Sequence, residues 1–128
     1  MKVAVLIARV LLGLMFVVFG LNVYLNFIPA KLPGGDAGAL MGLMFQHGWF
    51  SFFGLLYVVG GLLILIGRFV PIGLVLLGPI IVIILLYHVT FDPKGIGPGL
   101  LAALLEIFLI YEYRAHFAPL FLANKKEP

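Results

Sequence analysis

The chain has 128 residues, of which 64% are hydrophobic and 10% are charged, and its mean hydropathy is +1.25. Soluble domains are only about half apolar. This composition therefore excludes a soluble domain and predicts a protein embedded in a lipid bilayer. The absence of cysteine excludes disulfide exchange, thiolate metal sites and heme attachment through cysteine. The net charge of +3 is small and lies mostly in loops and the tail, which indicates membrane topology and lipid contact and argues against nucleic-acid binding.

The apolar runs predict one all-α membrane domain over residues 1–128, built as a four-helix transmembrane bundle. The predicted spans are about 3–28, 50–66, 69–89 and 99–113, followed by a tail at 115–128. The apolar stretch 39–45 is too short to cross, so it predicts an interfacial half-helix before the second span. No small-residue cleavage site follows the first run, and we expect that run to remain in the mature protein.

Arg9 is the only charged residue between Val3 and Leu21 in the first predicted span. At about 100° per residue it shares a helix face with Gly13 and Gly20, and small residues mark a close approach of helices. Arg9 is therefore expected to point into the bundle. The other interpretation is that it extends to the cytoplasmic headgroups.

Glu106 is the deeply placed acid of the fourth predicted span, on a face of small residues that includes Gly99 and Ala102. A charge near the bilayer centre costs about 2.5 to 3.5 kcal/mol on insertion scales. Because Arg9 and Glu106 have similar predicted depths, we expect them to form an intramembrane polar pair. Such a pair serves either the structure alone or a proton-linked or ligand-binding role.

Glycines in the second predicted span indicate where its neighbours pack. Gly54 and Gly61 share one face, and Gly60 and Gly67 share the adjacent face. Spacing of this kind allows close helix contacts on two sides. The short Gly67-Arg68 turn further predicts that spans two and three form an antiparallel hairpin.

Polar residues also gather at the predicted outer end of the bundle, where the ligand-binding candidates are Asn22, Asn26, Tyr87 and His88. His47 lies at a similar depth, but two histidines without a third ligand at a suitable spacing do not predict a metal site. His88 is either an interfacial histidine satisfied by a neighbour or a ligand-binding one. No catalytic motif for nucleotide or hydrolytic chemistry is present, so no catalytic residue is predicted.

The stretches ARVLLGLMFVVFGLN and GLLYVVGGLLILIGRFVPIGLVLL resemble the DoxX-like family of membrane proteins. The resemblance implies a four-helix membrane bundle in a family associated with quinone-linked thiosulfate oxidation or membrane-bound oxidoreductase complexes. Arg9, Gly13 and Gly20 match its span-one pattern, and the span-two pattern is matched by Gly60, Gly61 and Gly67. Many relatives carry a glutamate where this chain has Tyr57, so Tyr57 joins the ligand-binding candidates and Glu106 becomes the candidate acid.

These observations predict a small accessory subunit that binds a quinone or another amphipathic ligand and supports a membrane-associated oxidoreductase partner. We expect the protein to lie in a bacterial-type cytoplasmic (inner) membrane, and the distribution of Lys and Arg favours both termini in the cytoplasm. Besides lipids, a second copy of the chain is a candidate partner, because the glycine faces permit a homodimer. One alternative is a homo-oligomeric transporter or proton-coupled carrier that uses Arg9 and Glu106, and another is a non-catalytic scaffold.

Overall fold

The computed structural model describes residues 2–28 and 32–123, and within these ranges it is helical without any strand. The helices are α1 (Lys2–Leu25), α2 (Gly35–Gln46), α3 (Trp49–Ile66), α4 (Val70–Phe91), α5 (Gly97–Glu112) and α6 (Arg114–Phe117), with 3-10 turns at Pro93–Gly95 and Ala118–Phe121. The predicted all-α class is confirmed. The last part of the predicted tail lies outside the described residues.

Three helices, α1, α3 and α4, are long and apolar enough to cross a membrane. The fourth predicted span corresponds to α5, which has 16 residues. At about 1.5 Å per residue α5 is about 24 Å long, less than the roughly 30 Å of a hydrocarbon core. The described residues therefore contain three candidate spans, where the sequence predicted four.

The first helix ends at Leu25, before the predicted limit at residue 28. Asn26 has a left-handed backbone with φ of +54°. The Asn22 side chain donates to the Ile28 carbonyl at 3.1 Å, and the Ile28 N–H donates to Asn22 Oδ1 at 2.7 Å. Asn22 thus holds the chain in a turn directly after the helix, which explains why the helix stops there although the apolar sequence continues.

Helices α1 and α3 pack antiparallel through glycines of both helices. A Cβ atom added to Gly13 would lie 2.9 Å from the Gly61 carbonyl oxygen, and one added to Gly20 would lie 2.9 Å from the Gly54 carbonyl oxygen. Each helix therefore presents two glycines seven residues apart, and they meet in matched pairs. Any side chain at these positions would force the helices apart.

Helix α4 returns beside α3 after a tight turn and then packs against α5. At the first contact, a Cβ on Gly73 would lie 2.9 Å from the Gly60 carbonyl oxygen. At the second, a Cβ on Gly99 would lie 3.3 Å from the side chains of Ile84 and Leu85. Since α5 also contacts α1, the helices α1, α3, α4 and α5 surround a common core. Its fully buried side chains are Leu12, Ile64, Val70, Leu74, Leu77 and Leu109.

Candidate functional site

Arg9 binds the C-terminal end of α3. Its Nε donates a hydrogen bond to the Ile64 carbonyl at 3.0 Å, and its Nη2 donates to the Leu65 carbonyl at 3.3 Å. The last carbonyls of a helix have no partner within the helix, and a cation there also interacts favourably with the helix dipole. The Gly67 N–H already donates to the Leu63 carbonyl at 3.1 Å. Arg9 and Gly67 together therefore satisfy three consecutive carbonyls at this end of α3.

Gly67 leaves the space that the guanidinium occupies. Its φ is +86°, a conformation that side-chain-bearing residues rarely adopt, and a Cβ atom there would collide with Arg9 Nη2. The sequence placed Gly67 on a helix-packing face. In the structure its role is to end α3 in a left-handed turn and to admit the side chain of Arg9.

Glu106 is buried, with only 4% of its surface exposed, and neither carboxyl oxygen has a hydrogen-bond partner within the described ranges. Its Oε2 faces Gly78 of α4 and lies 3.3 Å from the position of a Cβ on that glycine. A buried polar group without a hydrogen bond costs free energy, so Glu106 is the residue of this core whose presence packing alone does not explain.

The predicted pair of Arg9 and Glu106 does not form. Arg9 bonds to carbonyls beside the α3–α4 turn, directly before α4 begins at Val70. Glu106 lies beside Gly78, eight residues further along α4, which corresponds to about 12 Å along the helix axis. The prediction was wrong because it placed the two residues at depths close enough to pair, whereas the packing of α3, α4 and α5 separates them by about two helical turns.

A pocket of about 580 Å³ opens between α2, α3 and α4. Its walls are mostly apolar and aromatic. The lining residues are Pro33, Leu40, Met41, Met44, Trp49, Phe50, Phe53, Tyr57, Ile83, Ile84, Tyr87, His88 and Asp92. The pocket thus combines an apolar body with a few polar groups, which is the usual composition of a small-molecule site.

Three of the five ligand-binding candidates, Tyr57, Tyr87 and His88, line this pocket. Asn22 and Asn26 do not belong to its lining. Asn22 uses both the nitrogen and the oxygen of its side-chain amide to shape the end of α1, and Asn26 is exposed. The two asparagines therefore form part of a structural turn, and the predicted outer polar set divides into two unrelated groups.

Hydrogen bonds fix the two polar side chains at the end of α4. The Tyr87 hydroxyl donates to Met41 Sδ of α2 at 3.1 Å. His88 Nδ1 lies 2.9 Å from the Ile84 carbonyl oxygen, and since a carbonyl can only accept, Nδ1 carries the proton. The two rings meet edge to face, with their centroids 5.2 Å apart. Tyr87 also links α2 to α4 across the pocket.

The α3 wall of the pocket is aromatic. Trp49 and Phe53 meet edge to face with centroids 6.3 Å apart, and Phe50 and Phe53 do so at 6.1 Å. Tyr57 packs its ring edge to face against Phe16 of α1 at 5.1 Å. These edge-to-face pairs stabilise one another and hold the wall in place.

Sequence reasoning missed the aromatic wall, the α2 methionines and Asp92. The wall has a helical signature, because Phe50, Phe53 and Tyr57 follow at spacings of three and four residues. Asp92 follows His88 by four residues, which places it one turn further along the same face. For Met41 and Met44 the sequence offers no comparable signal, since their role depends on how α2 folds back over α3 and α4.

No group of three or more metal-ligating side chains occurs in the part of the chain that the structure describes. No protein-family model, curated protein or solved structure matches the chain. The fold and the site by themselves define an all-helical protein with three helices able to cross a membrane and a pocket beside two of them. The resemblance to the DoxX-like family stays a prediction from sequence.

Proposed function

We propose that the protein is a small DoxX-like integral membrane protein that binds a quinone or a similar amphipathic molecule in the pocket between α2, α3 and α4. The observation that carries this proposal is the pocket itself. Its volume of about 580 Å³ lies within the range of about 300 to 1,000 Å³ that small-molecule sites occupy. Its aromatic wall suits a ring, and Tyr87 and His88 supply polar groups at one end.

In the membrane, we propose that α5 joins α1, α3 and α4 as the fourth crossing of a bundle. Its length requires local thinning of the bilayer, which costs little per ångström. Tyr111 and Arg114 at its end suit the interface, where the Arg114 guanidinium lies 4.2 Å from the Tyr111 ring centroid. Helix α2 would then lie in the opposite interface beside Trp49.

The orientation proposed for this bundle places both termini in the cytoplasm of an inner-membrane protein. Lys2, Arg68 and Arg114 lie in segments at one end of the helices, and Asp36 and Asp92 lie in segments at the other. Basic residues are retained on the cytoplasmic side. In this orientation the pocket opens toward the outer leaflet, where a lipid-soluble ligand has access to it.

The proposed role is that of an accessory subunit that supports a membrane-associated oxidoreductase, with quinone as its ligand; a homodimer is the assembly proposed for this subunit. The carrier hypothesis depended on an Arg9–Glu106 pair, and that pair does not form. The carrier hypothesis therefore lacks the observation that motivated it, and a scaffold without a ligand is the alternative that the next experiment addresses. It predicts that the pocket binds nothing saturably.

The experiment that separates these alternatives is calorimetric titration of the protein in lipid nanodiscs with decylubiquinone. The wild type should show saturable binding. The variant Met44→Trp places a bulky ring in the pocket lining and should weaken binding about tenfold or more. Leu43→Trp is the matched control, because Leu43 is adjacent in α2, 57% exposed and outside the lining. The absence of saturable binding to the wild type would contradict a quinone site in this pocket and favour the scaffold.

A further inference from the structure

The two polar side chains that α4 contributes to the pocket use their protons in bonds within the protein, so only their acceptor atoms are left for a ligand. The Tyr87 hydroxyl directs its single proton to Met41 Sδ at 3.1 Å, so that the phenolic oxygen is left with its lone pairs. Any ligand that meets Tyr87 without breaking this bond must therefore supply a donor.

His88 likewise offers a ligand only an acceptor, because of its tautomer. Its Nδ1–H donates to the Ile84 carbonyl one turn earlier in α4, at 2.9 Å. In a neutral imidazole with the proton on Nδ1, the other nitrogen, Nε2, is an acceptor only. The backbone of α4 thus determines which role His88 can play toward a ligand.

Asp92 completes this group at the C-terminal end of α4. Asp92 lines the same pocket, and an ionised carboxylate has acceptor atoms but no donor. Donors in the lining belong to the α3 wall, where the Trp49 indole N–H and the Tyr57 hydroxyl are found. The α4 end of the pocket is therefore a cluster of acceptors, formed by Tyr87, His88 and Asp92.

We propose that this acceptor cluster makes the pocket select the reduced, hydroxyl-bearing form of its ligand, a quinol, over the oxidised quinone. This inference rests on the proposed function, since it concerns the same pocket. The two ring oxygens of a quinone can only accept, and they would face the acceptors of Tyr87, His88 and Asp92 without a proton between them. A quinol hydroxyl donates to one of these groups and can also accept from a donor on the α3 wall.

The test compares three ligands that share one ring and one decyl tail: the quinol, the quinone and the dimethyl ether of the quinol. The ether keeps the reduced ring but has no hydroxyl donor. In anaerobic calorimetric titrations of the full chain in nanodiscs, the quinol should bind about tenfold more tightly than either of the others. Because this comparison uses only the wild type, it does not depend on a variant that folds poorly.

Two variants then assign the preference to His88. His88→Phe should reduce the quinol-to-quinone affinity ratio by about threefold or more and leave the affinity for quinone unchanged. His88→Gln retains an acceptor oxygen and should keep most of the ratio. Tyr111→Phe, at the far end of α5 and outside the pocket lining, is the control and should leave the ratio at the wild-type value.

The outcomes distinguish this inference from the proposal on which it rests. Equal, saturable affinities for the three ligands would overturn the selection of quinol and leave the pocket as a quinone site. Decylamine, titrated in the same way, serves as a cationic probe with the same tail; if it binds more tightly than the quinol, the selection of quinol is also overturned, because Asp92 would then be selecting a cation. If none of these ligands binds saturably, both the selection and the proposed function are wrong.

Discussion

The Arg9 guanidinium caps a helix other than its own: its Nε lies 3.0 Å from the Ile64 carbonyl oxygen, at the C-terminal end of α3. The bond joins residues that are 55 positions apart in the chain. It fixes the ends of α1 and α3 relative to each other at the point where α3 turns into α4. A charged residue inside an apolar span is thereby explained by the structure without any ligand.

Replacing Arg9 with methionine should destabilise the protein, because the carbonyls of Ile64 and Leu65 would lose their donors. We expect the free energy of unfolding to fall by about 2 kcal/mol, since unpaired buried acceptors cost about 1 to 3 kcal/mol each and these are only part-buried. Arg114→Met is the control, because its bond to Tyr111 is exposed. Reversible unfolding in mild detergent with increasing dodecyl sulfate measures both. Equal effects of the two substitutions would contradict the capping role.

Gly67→Ala should be among the most damaging glycine substitutions in the chain. The added Cβ would occupy a left-handed position, which costs about 1 kcal/mol or more, and would also collide with the Arg9 guanidinium. Gly42→Ala is the matched control, since a Cβ there meets no atom within 4 Å and the residue lies inside helix α2. Thermal unfolding should show a clear loss for the first variant and no loss for the second. A Gly67→Ala protein as stable as wild type would show that the turn adapts.

Arg9 and Glu106 should be energetically independent. In a double-mutant cycle of Arg9→Met and Glu106→Leu, the changes in unfolding free energy should add to within about 0.5 kcal/mol, as expected for residues without a shared partner. The same unfolding assay is applied to the wild type, the two single variants and the double variant. A coupling of 2 kcal/mol or more would mean that the two charges meet in the membrane, as the sequence had predicted.

Glu106→Leu alone should leave the stability unchanged or raise it. The carboxyl group is buried without a hydrogen bond, and replacing such a group by an apolar side chain removes its desolvation cost. Gln is the comparison variant, because it keeps the shape and leaves a polar amide in the same place. If Leu at this position destabilises the protein by more than Gln does, then Glu106 forms a stabilising bond that the packing against Gly78 does not reveal.

The helices and their packing faces could be predicted from the sequence, because both follow from the periodicity of apolar residues and glycines. Apolar runs predicted α1, α3 and α4. Gly13 and Gly20 are seven residues apart, as are Gly54 and Gly61, and this spacing predicted the faces that meet. Glycine spacing is a local pattern, and the contact it encodes is made by backbone atoms. For that reason a packing face can be recognised from its glycines even when the partner helix is not known.

The partners of Arg9 could not be predicted from the sequence, because every residue carries a backbone carbonyl and nothing in the sequence distinguishes those of Ile64 and Leu65. Only the register between α1 and α3 brings them within hydrogen-bonding distance. Glu106 was predicted instead, because a charged side chain is the only kind of partner that a sequence displays. A better signal was the Gly67-Arg68 turn, which predicts a helix end with unpaired carbonyls at the same depth as Arg9.

The residues of the pocket could be predicted from the sequence only in part. Tyr87 and His88 were predicted because polar residues at the end of an apolar helix are conspicuous, whereas Tyr57 was predicted from the resemblance to the DoxX-like family. Met41, on a helix too short to span, became part of the site through tertiary folding of α2 across α4. Asn22 was conspicuous for the same reason as Tyr87, yet its amide serves the turn after α1.

The most direct test of the proposed ligand site is photolabelling of the protein in native membranes with an azido-quinone, followed by mass-spectrometric mapping of the labelled residues. We predict labels on pocket residues of α2 and α4, such as Met44 and Ile84, that disappear when excess unlabelled quinol is present. Labels restricted to exposed residues outside the pocket, such as Leu104 and Ile107 of α5, and unaffected by the competitor, would contradict a quinone site in this pocket.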